Sequence, residues 1–537
     1  MLGLMSDRPL TLNHAFRRAE QLFTDKRIAT VTHRGVEGRT YGEWADRTRR
    51  LAGAFDSLGL SDDARIGTFA WNSANHLELY FAAPCSGRVL HTLNIRLFPE
   101  QLTYIIDHAA DEAIFVDRSL IGMLHPLIED SDVVRHIVVM DDGGDEELPE
   151  DSRILDYEEL IEANDPSALK EPDDENRAAA MCYTSGTTGN PKGVLYSHRS
   201  SVLHAISVML ADSVGLSESD VVMPVVPMFH ANAWGLAHAA VMAGSGLAMP
   251  GPAMAPDKIA DLIESESVTI AAGVPTIWQG ALDELEGRDL PALRDIVCGG
   301  SAVPRALSEA YRERIGMPIK QAWGMTETSP VASVVHIKSE LADADEDTLA
   351  DVRASAGLIS PMIDARIIDT GSDEEQPWDG EARGELQVSG PWIASAYYED
   401  DREDAFTDDG WLRTGDVATI DSHGYIRLVD RTKDLVKSGG EWISSVELEN
   451  EIMAHPKVAE AAVIGIPDEK WSERPLACIV AAEGEEVDAE EIKSFLADRV
   501  AKWWIPDSYE FIDEVPKTSV GKFSKKTLRE RFAEQPA

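Results

Sequence analysis

The stretch that most constrains this chain lies between two short apolar runs, 178–183 and 194–196. Between them run Thr184, Ser185, Gly186, Thr187, Thr188, Gly189, Asn190, Pro191, Lys192 and Gly193. Glycines let the backbone approach a ligand closely, hydroxyls donate, and a lysine supplies one positive charge, so this loop can wrap an oxyanion-rich group. The apolar runs read as the two arms of a hairpin, which would pin the loop. A plain surface turn has a similar composition but no such arms. The P-loop spacing does not fit: counting from Gly186, Pro191 stands where the second glycine belongs and Gly193 where the hydroxyl belongs. The reading is a phosphate cradle of another kind.

With 537 residues the chain is too long for one core, and a 44% hydrophobic fraction is ample for two or more. The charge is unusual. Ninety-five Asp and Glu against 49 Lys and Arg give a formal net charge of -46. Such a surface repels nucleic acid and anionic lipid, so neither is an expected partner. In molar salt the Debye length falls to about 3 Å, which screens self-repulsion while the acidic surface stays hydrated. The expectation is a halophilic protein from a saline cytosol. Four cysteines, Cys85, Cys182, Cys298 and Cys478, lie far apart and suggest neither a disulfide framework nor a zinc site. The first ten residues lack a basic segment leading into an apolar core, and 239–256 is broken by Gly and Pro. A soluble, cytoplasmic protein with no integral membrane segment is expected.

Along the chain, helical spacing at 12–23 and 41–58, the second opened by Thr40 as a cap, gives way to alternating strand-like and helical runs. These include 65–70, 75–86, 89–93, 100–107 and 113–116. After the loop come helix 200–211, strand 221–227 and helix 234–243. Alternation of this kind argues for βαβ units and parallel sheet. From 355 to 430 short strands with turn residues predict a small, mostly antiparallel β subdomain. Beyond lies an α+β segment with helix 444–454, strands 458–466 and 476–482, and helix 488–501. The predicted fold class is α/β: a large N-terminal domain over 1–430 of layered parallel and mixed sheets, a hinge at 431–434, and a small mobile α+β C-terminal domain over 435–537.

The string from Met181 to Val194 resembles the phosphate-binding signature of the adenylate-forming superfamily, which holds acyl-CoA synthetases, luciferases and peptide-synthetase adenylation domains. Further motifs of that family occur in order. Gln321-Ala-Trp-Gly-Met-Thr-Glu-Thr328 is similar to its second nucleotide motif, which implies Trp323, Gly324 and Met325 beside an adenine, Thr326 on the α-phosphate and Glu327 on Mg²⁺. A carboxylate suits that ion, which keeps oxygen ligands and several waters. Thr184 is a second implied metal contact. Gly299, Gly300 and Ser301 would turn close to the adenine and ribose; a serine-hydrolase elbow is excluded there because Val303 occupies the second glycine's place. Asp416, in Trp411-Leu-Arg-Thr-Gly-Asp, resembles the ribose ligand, with Arg431 also on the ribose and Lys433 as pivot. The loop of Gly439 and Gly440 is followed by Glu441-Trp442, as in long-chain fatty acyl-CoA synthetases, where such a tryptophan gates the acyl tunnel. Lys522, in Pro516-Lys-Thr-Ser-Val-Gly-Lys, resembles the family's last catalytic lysine.

The resemblance implies a ligase that joins a small-molecule carboxylic acid to CoA through an acyl-AMP, with ATP, Mg²⁺ and CoA as cofactors and co-substrates. Lys522, Thr184, Lys192, Glu327 and His230 are its implied catalytic groups. The acyl site is expected around His230, Trp234, Gly273 and Trp442; with a helix from Ala233 onward, His230 and Trp234 would face one cavity. Small apolar residues there (Ala231, Ala233, Gly235, Ala237) favour a medium- or long-chain fatty acid. Short acids such as a methylthio-propionate, and aryl acids, stay open. So do delivery to a carrier protein, a non-catalytic nucleotide-binding protein, and a homodimer, as related synthetases often form.

Overall fold

The computed structural model describes all residues except 2, 185–189, 401–402, 439–440, 469, 483, 518–522 and 533–537. Contacts divide it into two compact units, 1–363 with 389–406, and 364–388 with 407–537.

The first unit is built on two sheets. In one, strands run in the order Ile154–Asp156, His136–Met140, Asp111–Asp117, Arg65–Phe69, Val89–Thr92, Ala178–Tyr183 and Gly193–Ser197. All neighbours are parallel except the last pair, a hairpin. In the other, Asp295–Cys298, Ile270–Gly273, Val221–Pro224, Gly246–Met249 and Arg27–Thr32 form a parallel centre, and Ile319–Gly324 pairs parallel with Asp295–Cys298. Antiparallel strands close both edges. One core cluster joins Phe16, Trp44, Phe81 and Leu236 from helices to Leu90 and Ala180 of the first sheet and Val222 and Leu247 of the second. The helices Leu12–Leu22, Tyr41–Ser57, Ala74–Ala82 and Leu236–Ala243 therefore fill the layer between the sheets. Thr40 caps the second of these through a reciprocal pair with Glu43, as its sequence predicts. The strand expected over 221–227 stops at Pro224, because Asn72 captures the carbonyls of Pro224 (2.7 Å) and Val226 (3.0 Å) and bends the chain away.

The second unit contains the antiparallel sheet expected over 355–430, with Asp364–Ile368, Gly384–Ser389, Leu412–Ile420 and Ile426–Arg431 in that order. It also contains a second sheet of Val436–Ser438, Glu441–Ile443, Val458–Asp468, Ser472–Ala481 and Ser508–Phe511. Helix Ser445–Met453 packs on it, capped by Ser444. The helix expected over 488–501 is shorter, Ala489–Leu496. Downstream, Arg474 donates to the carbonyls of Trp503 (2.7 Å) and Ile505 (3.1 Å), which holds this chain in turns instead of a continued helix. All four cysteines are buried and unpaired, and no helix among the described residues is long and apolar enough to cross a membrane.

Candidate active site

The hairpin arms are present, with Cys182 opposite Val194 and Tyr183 opposite Gly193. At its mouth the Thr184 N–H donates to the Lys192 carbonyl at 2.9 Å, and the Lys192 N–H to the Thr184 hydroxyl at 3.2 Å. Ser185, Gly186, Thr187, Thr188 and Gly189 lie outside the described residues, as do Gly439, Gly440 and Lys522. A second segment lies against the hairpin. Tyr398 N–H donates to the Gly193 carbonyl at 2.8 Å, and a Cβ on Gly193 would sit 3.1 Å from that of Tyr398. The neighbouring Tyr397 lies under the Lys192 ammonium, 4.5 Å from ring centroid to Nζ, and its hydroxyl donates to Glu327 Oε1 at 2.6 Å. A chain of contacts thus runs from Thr184 through Lys192 and Tyr397 to Glu327.

Glu327 sits in a tight turn, Thr326–Thr328, after the strand Ile319–Gly324. Gly324 is required here: a Cβ would fall 1.8 Å from the Pro330 carbonyl oxygen. The Met325 N–H is shared between that oxygen (3.1 Å) and the Thr328 hydroxyl (2.9 Å). From the hairpin, Tyr196 donates its hydroxyl to the Thr326 carbonyl at 2.7 Å; burial first, and the nearby Cys182 and Glu327, raise the Tyr196 pKa and keep that proton in place. From the other side the Ala394 N–H holds the Glu327 carbonyl at 2.7 Å. The Glu327 carboxylate is only 6% exposed and one oxygen already accepts from Tyr397. A single fixed carboxylate of this kind fits Mg²⁺, which brings its own waters and phosphate ligands. Trp323 is 7% exposed, so little of its indole faces outward.

The expected helix from Ala233 is absent. Ala231, Asn232, Ala233 and Trp234 have φ of 44°, 49°, 49° and 56°, and the right-handed helix Leu236–Ala243 begins after Gly235. His230 and Trp234 are therefore not one right-handed turn apart. Left-handed geometry costs L-residues about 1–2 kcal/mol each, so the turn must be held by its surroundings. Asn232 does this from a buried position: its Oδ1 accepts from Cys182 Sγ at 3.2 Å, with the Tyr80 and Thr92 hydroxyls at 3.4 and 3.5 Å. A Cβ on Gly235 would lie 2.4 Å from His204 Nδ1. Burial brings His204 down to about 3, and its neutral Nε2 accepts the Val331 N–H at 3.1 Å. The smallness of Gly235 thus answers to His204 rather than to an acyl chain.

The left-handed turn aims Trp234 at the glycines 299 and 300. A Cβ on Gly299 would meet the Trp234 ring at 3.3 Å and the Ala322 carbonyl at 2.5 Å; one on Gly300 would meet Val274 at 3.4 Å and Trp234 at 3.8 Å. The predicted adenine turn, Trp234 and the segment after Gly273 therefore converge. Gly273 itself is packed by Trp278, whose indole would lie 3.0 Å from an added Cβ. His230 is half-buried and Ser301 exposed. Sequence reading missed Tyr397, Tyr196, Asn232 and His204. Tyr196 stood within the apolar run 194–196, but Tyr397 is recruited from 70 residues beyond Glu327 and no spacing announces it.

In the second unit Asp416 and Arg431 face each other across the antiparallel pair and form an ion pair, Nε to Oδ1 2.7 Å. Gly415 turns with φ 68°, and its carbonyl accepts the Thr432 N–H at 2.9 Å. Burial lowers the Lys433 pKa, opposed by Asp434. Trp442 pairs across a short antiparallel ladder with Lys437, whose ammonium lies 5.0 Å from its ring centroid.

The sequence pattern of the family described as AMP-binding enzyme matches residues 16–398, and that of the AMP-binding enzyme C-terminal domain matches 447–522. The chain belongs to the AMP-binding enzyme family. It is 45% identical to a long-chain-fatty-acid--CoA ligase of Thermus thermophilus, over 98% of this chain and 96% of that protein. It is 43% identical to a 3-methylmercaptopropionyl-CoA ligase of Ruegeria lacuscaerulensis, over 99% of each. Among solved structures, ATP-bound MatB from Rhodopseudomonas palustris superposes with a TM-score of 0.83 at 25% identity, covering 98% of this chain and 99% of that one.

Proposed function

We propose that this protein is an ATP-dependent, AMP-forming carboxylate:CoA ligase acting on medium- or long-chain fatty acids. A substrate carboxylate attacks the α-phosphate of ATP, pyrophosphate leaves, and the CoA thiol then attacks the acyl carbonyl of the acyl-AMP as AMP departs. Direct thiol attack on a carboxylate would have to expel oxide, so the adenylate supplies a workable leaving group. The observation that carries this reading is the contact chain Thr184, Lys192, Tyr397, Glu327, which couples the phosphate cradle to a buried carboxylate. In this reading Lys192 and the loop hydroxyls grip the departing phosphates. Thr326 and Lys522 hold the α-phosphate, Asp416 and Arg431 the ribose. Glu327 and Thr184 would hold Mg²⁺, which supplies charge neutralisation on the phosphates. Trp234 and His230 bound the acyl site, and a pivot at Lys433 lets the chain after it serve two half-reactions. The relatives named for long-chain and for methylmercaptopropionyl substrates stand at similar identity, which keeps the short methylthio acid as a second reading.

The test is ATP consumption with CoA across fatty, branched, methylthio and aryl acids in molar KCl. Release of AMP and pyrophosphate with thioester is expected; release of ADP and phosphate would overturn the reading. Trp442→Ala is expected to alter the dependence of kcat/KM on acyl-chain length, and an unchanged profile would remove its role as a gate. The net charge of -46 extends the proposal to a protein that stays soluble in a saline cytosol. Melting temperature and activity should rise from dilute buffer to molar KCl as repulsion is screened; a fall would contradict the halophilic assignment.

A further inference from the structure

Residues 429 and 430, at the end of strand Ile426–Arg431, are held by groups that follow Lys433 in the chain. Ser444 donates its hydroxyl to the Val429 carbonyl at 2.6 Å. Ser445 donates both its N–H (2.6 Å) and its hydroxyl (2.5 Å) to Asp430 Oδ2, while Asp430 Oδ1 accepts the Arg431 N–H at 2.7 Å. The Ser445 oxygen accepts from Lys525 Nζ at 2.5 Å, and that ammonium also pairs with Glu449 at 2.7 Å. Glu449 in turn accepts the Val463 N–H at 2.7 Å. One helical turn after Lys525, Arg529 donates to the Lys433 carbonyl at 3.2 Å and pairs with Asp434 at 2.5 Å. Helix Lys525–Phe532 thus holds 433–434 directly through Arg529 and reaches Asp430 through Ser445, which Lys525 bonds, and it starts three residues after Lys522.

The cluster is nearly all buried: Asp430 and Glu449 are 5% and 6% exposed, and the Lys525 side chain 10%. Burial raises the Asp430 carboxyl and raises Glu449 to about 7, with Lys525 opposing both shifts. A scaffold alone would be served by apolar side chains, since a buried charge network gains little over well-packed apolar groups. Such a network is instead sensitive to losing any partner, because the charge left behind is uncompensated. That is the behaviour of a contact set that is either whole or broken. Its placement matters as well: Val429 and Asp430 precede Lys433, whereas Ser444, Ser445, Glu449 and Lys525 follow it.

We propose that Asp430, Ser445 and Lys525 form a latch across residues 431–434, complete in one arrangement of the chain and broken when the segment after Lys433 turns. They are positioning residues that set the balance between the two half-reactions. The latch rests on the reading of 431–434 as the hinge of an acyl-CoA ligase. The Ser445 hydroxyl bridges the two sides, and Asp430 and Lys525 supply opposite charge at its ends. Because the bonds exist in one arrangement only, weakening them shifts the population toward the other and lowers only the half-reaction that the latched arrangement performs.

Ser445→Ala, which keeps every charge and removes the bridging hydroxyl, is the first test. Acyl-AMP formation is measured by pyrophosphate exchange without CoA, and thioester formation from supplied acyl-AMP, both on the full chain in molar KCl. The ratio of the two rates should change by about 5-fold or more, Ser445→Thr should restore it, and Asp430→Asn should move it in the same direction. A ratio equal to that of the unaltered chain in both variants, or equal losses in both rates, overturns the latch. Absence of both half-reactions in the unaltered chain overturns the ligase reading and the latch with it, so the two failures are told apart.

Discussion

Replacing Lys522 with alanine is expected to reduce acyl-AMP formation by about 10²–10³-fold, or about 2.7–4 kcal/mol of transition-state stabilisation, the scale of removing one preorganised donor to developing charge. The expected loss is electrostatic in origin. As pyrophosphate leaves, charge gathers between the entering carboxylate and the α-phosphate, and in the proposed site the Lys522 ammonium would neutralise both. Thioester formation from supplied acyl-AMP involves no new bond to phosphorus, so the variant should retain most of that rate. Pyrophosphate exchange and the thioester assay, run on one preparation, check this directly. Equal loss in both would remove the division of labour, and retention of exchange would remove the lysine from the first step.

The second large effect is at Glu327. Glu327→Gln keeps the shape and a carbonyl oxygen to accept from Tyr397, so the turn Thr326–Thr328 should survive. The charge is lost, and pyrophosphate exchange should fall by about 10²-fold, with the Mg²⁺ dependence displaced to higher concentration. Tyr397→Phe removes the hydrogen bond but not the charge and should cost far less, about 1 kcal/mol. If the two variants lose activity equally with the same Mg²⁺ dependence, Glu327 acts through packing and the metal assignment fails.

Much of this architecture was legible in the residues, for identifiable reasons. The alternation of runs between 65 and 116 reports a parallel sheet because each period reflects which face is buried. The two arms around Thr184 were legible because apolar runs stood on both sides. Positions 231–234 were not. Ala-Asn-Ala-Trp has ordinary helical propensity, and what turns it left-handed is Asn232 bonding to Cys182 and Gly235 yielding to His204, contacts set by tertiary structure. Likewise Gly273 stood out as a possible pocket wall, whereas its lack of a side chain answers to Trp278. Tyr397 illustrates the limit most sharply: only the folded chain brings it between Lys192 and Glu327. The motifs of the second unit were legible as strings, but the ion pair between Asp416 and Arg431 depends on strand register, which no string carries.

The burial of the four cysteines bears on chemical fidelity. A ligase that makes thioesters holds an activated acyl group where a thiolate is meant to attack, and any protein thiolate nearby would compete with CoA for it. Burial raises Cys182, on the hairpin arm two residues from Thr184, to about 11, and Cys478 to about 12; it raises Cys85 and Cys298 further still. Burial therefore favours the thiol form of Cys182 at neutral pH, and a thiol is a poor nucleophile. Thiols held in the protonated form by burial would compete less with the CoA thiol for an acyl-AMP.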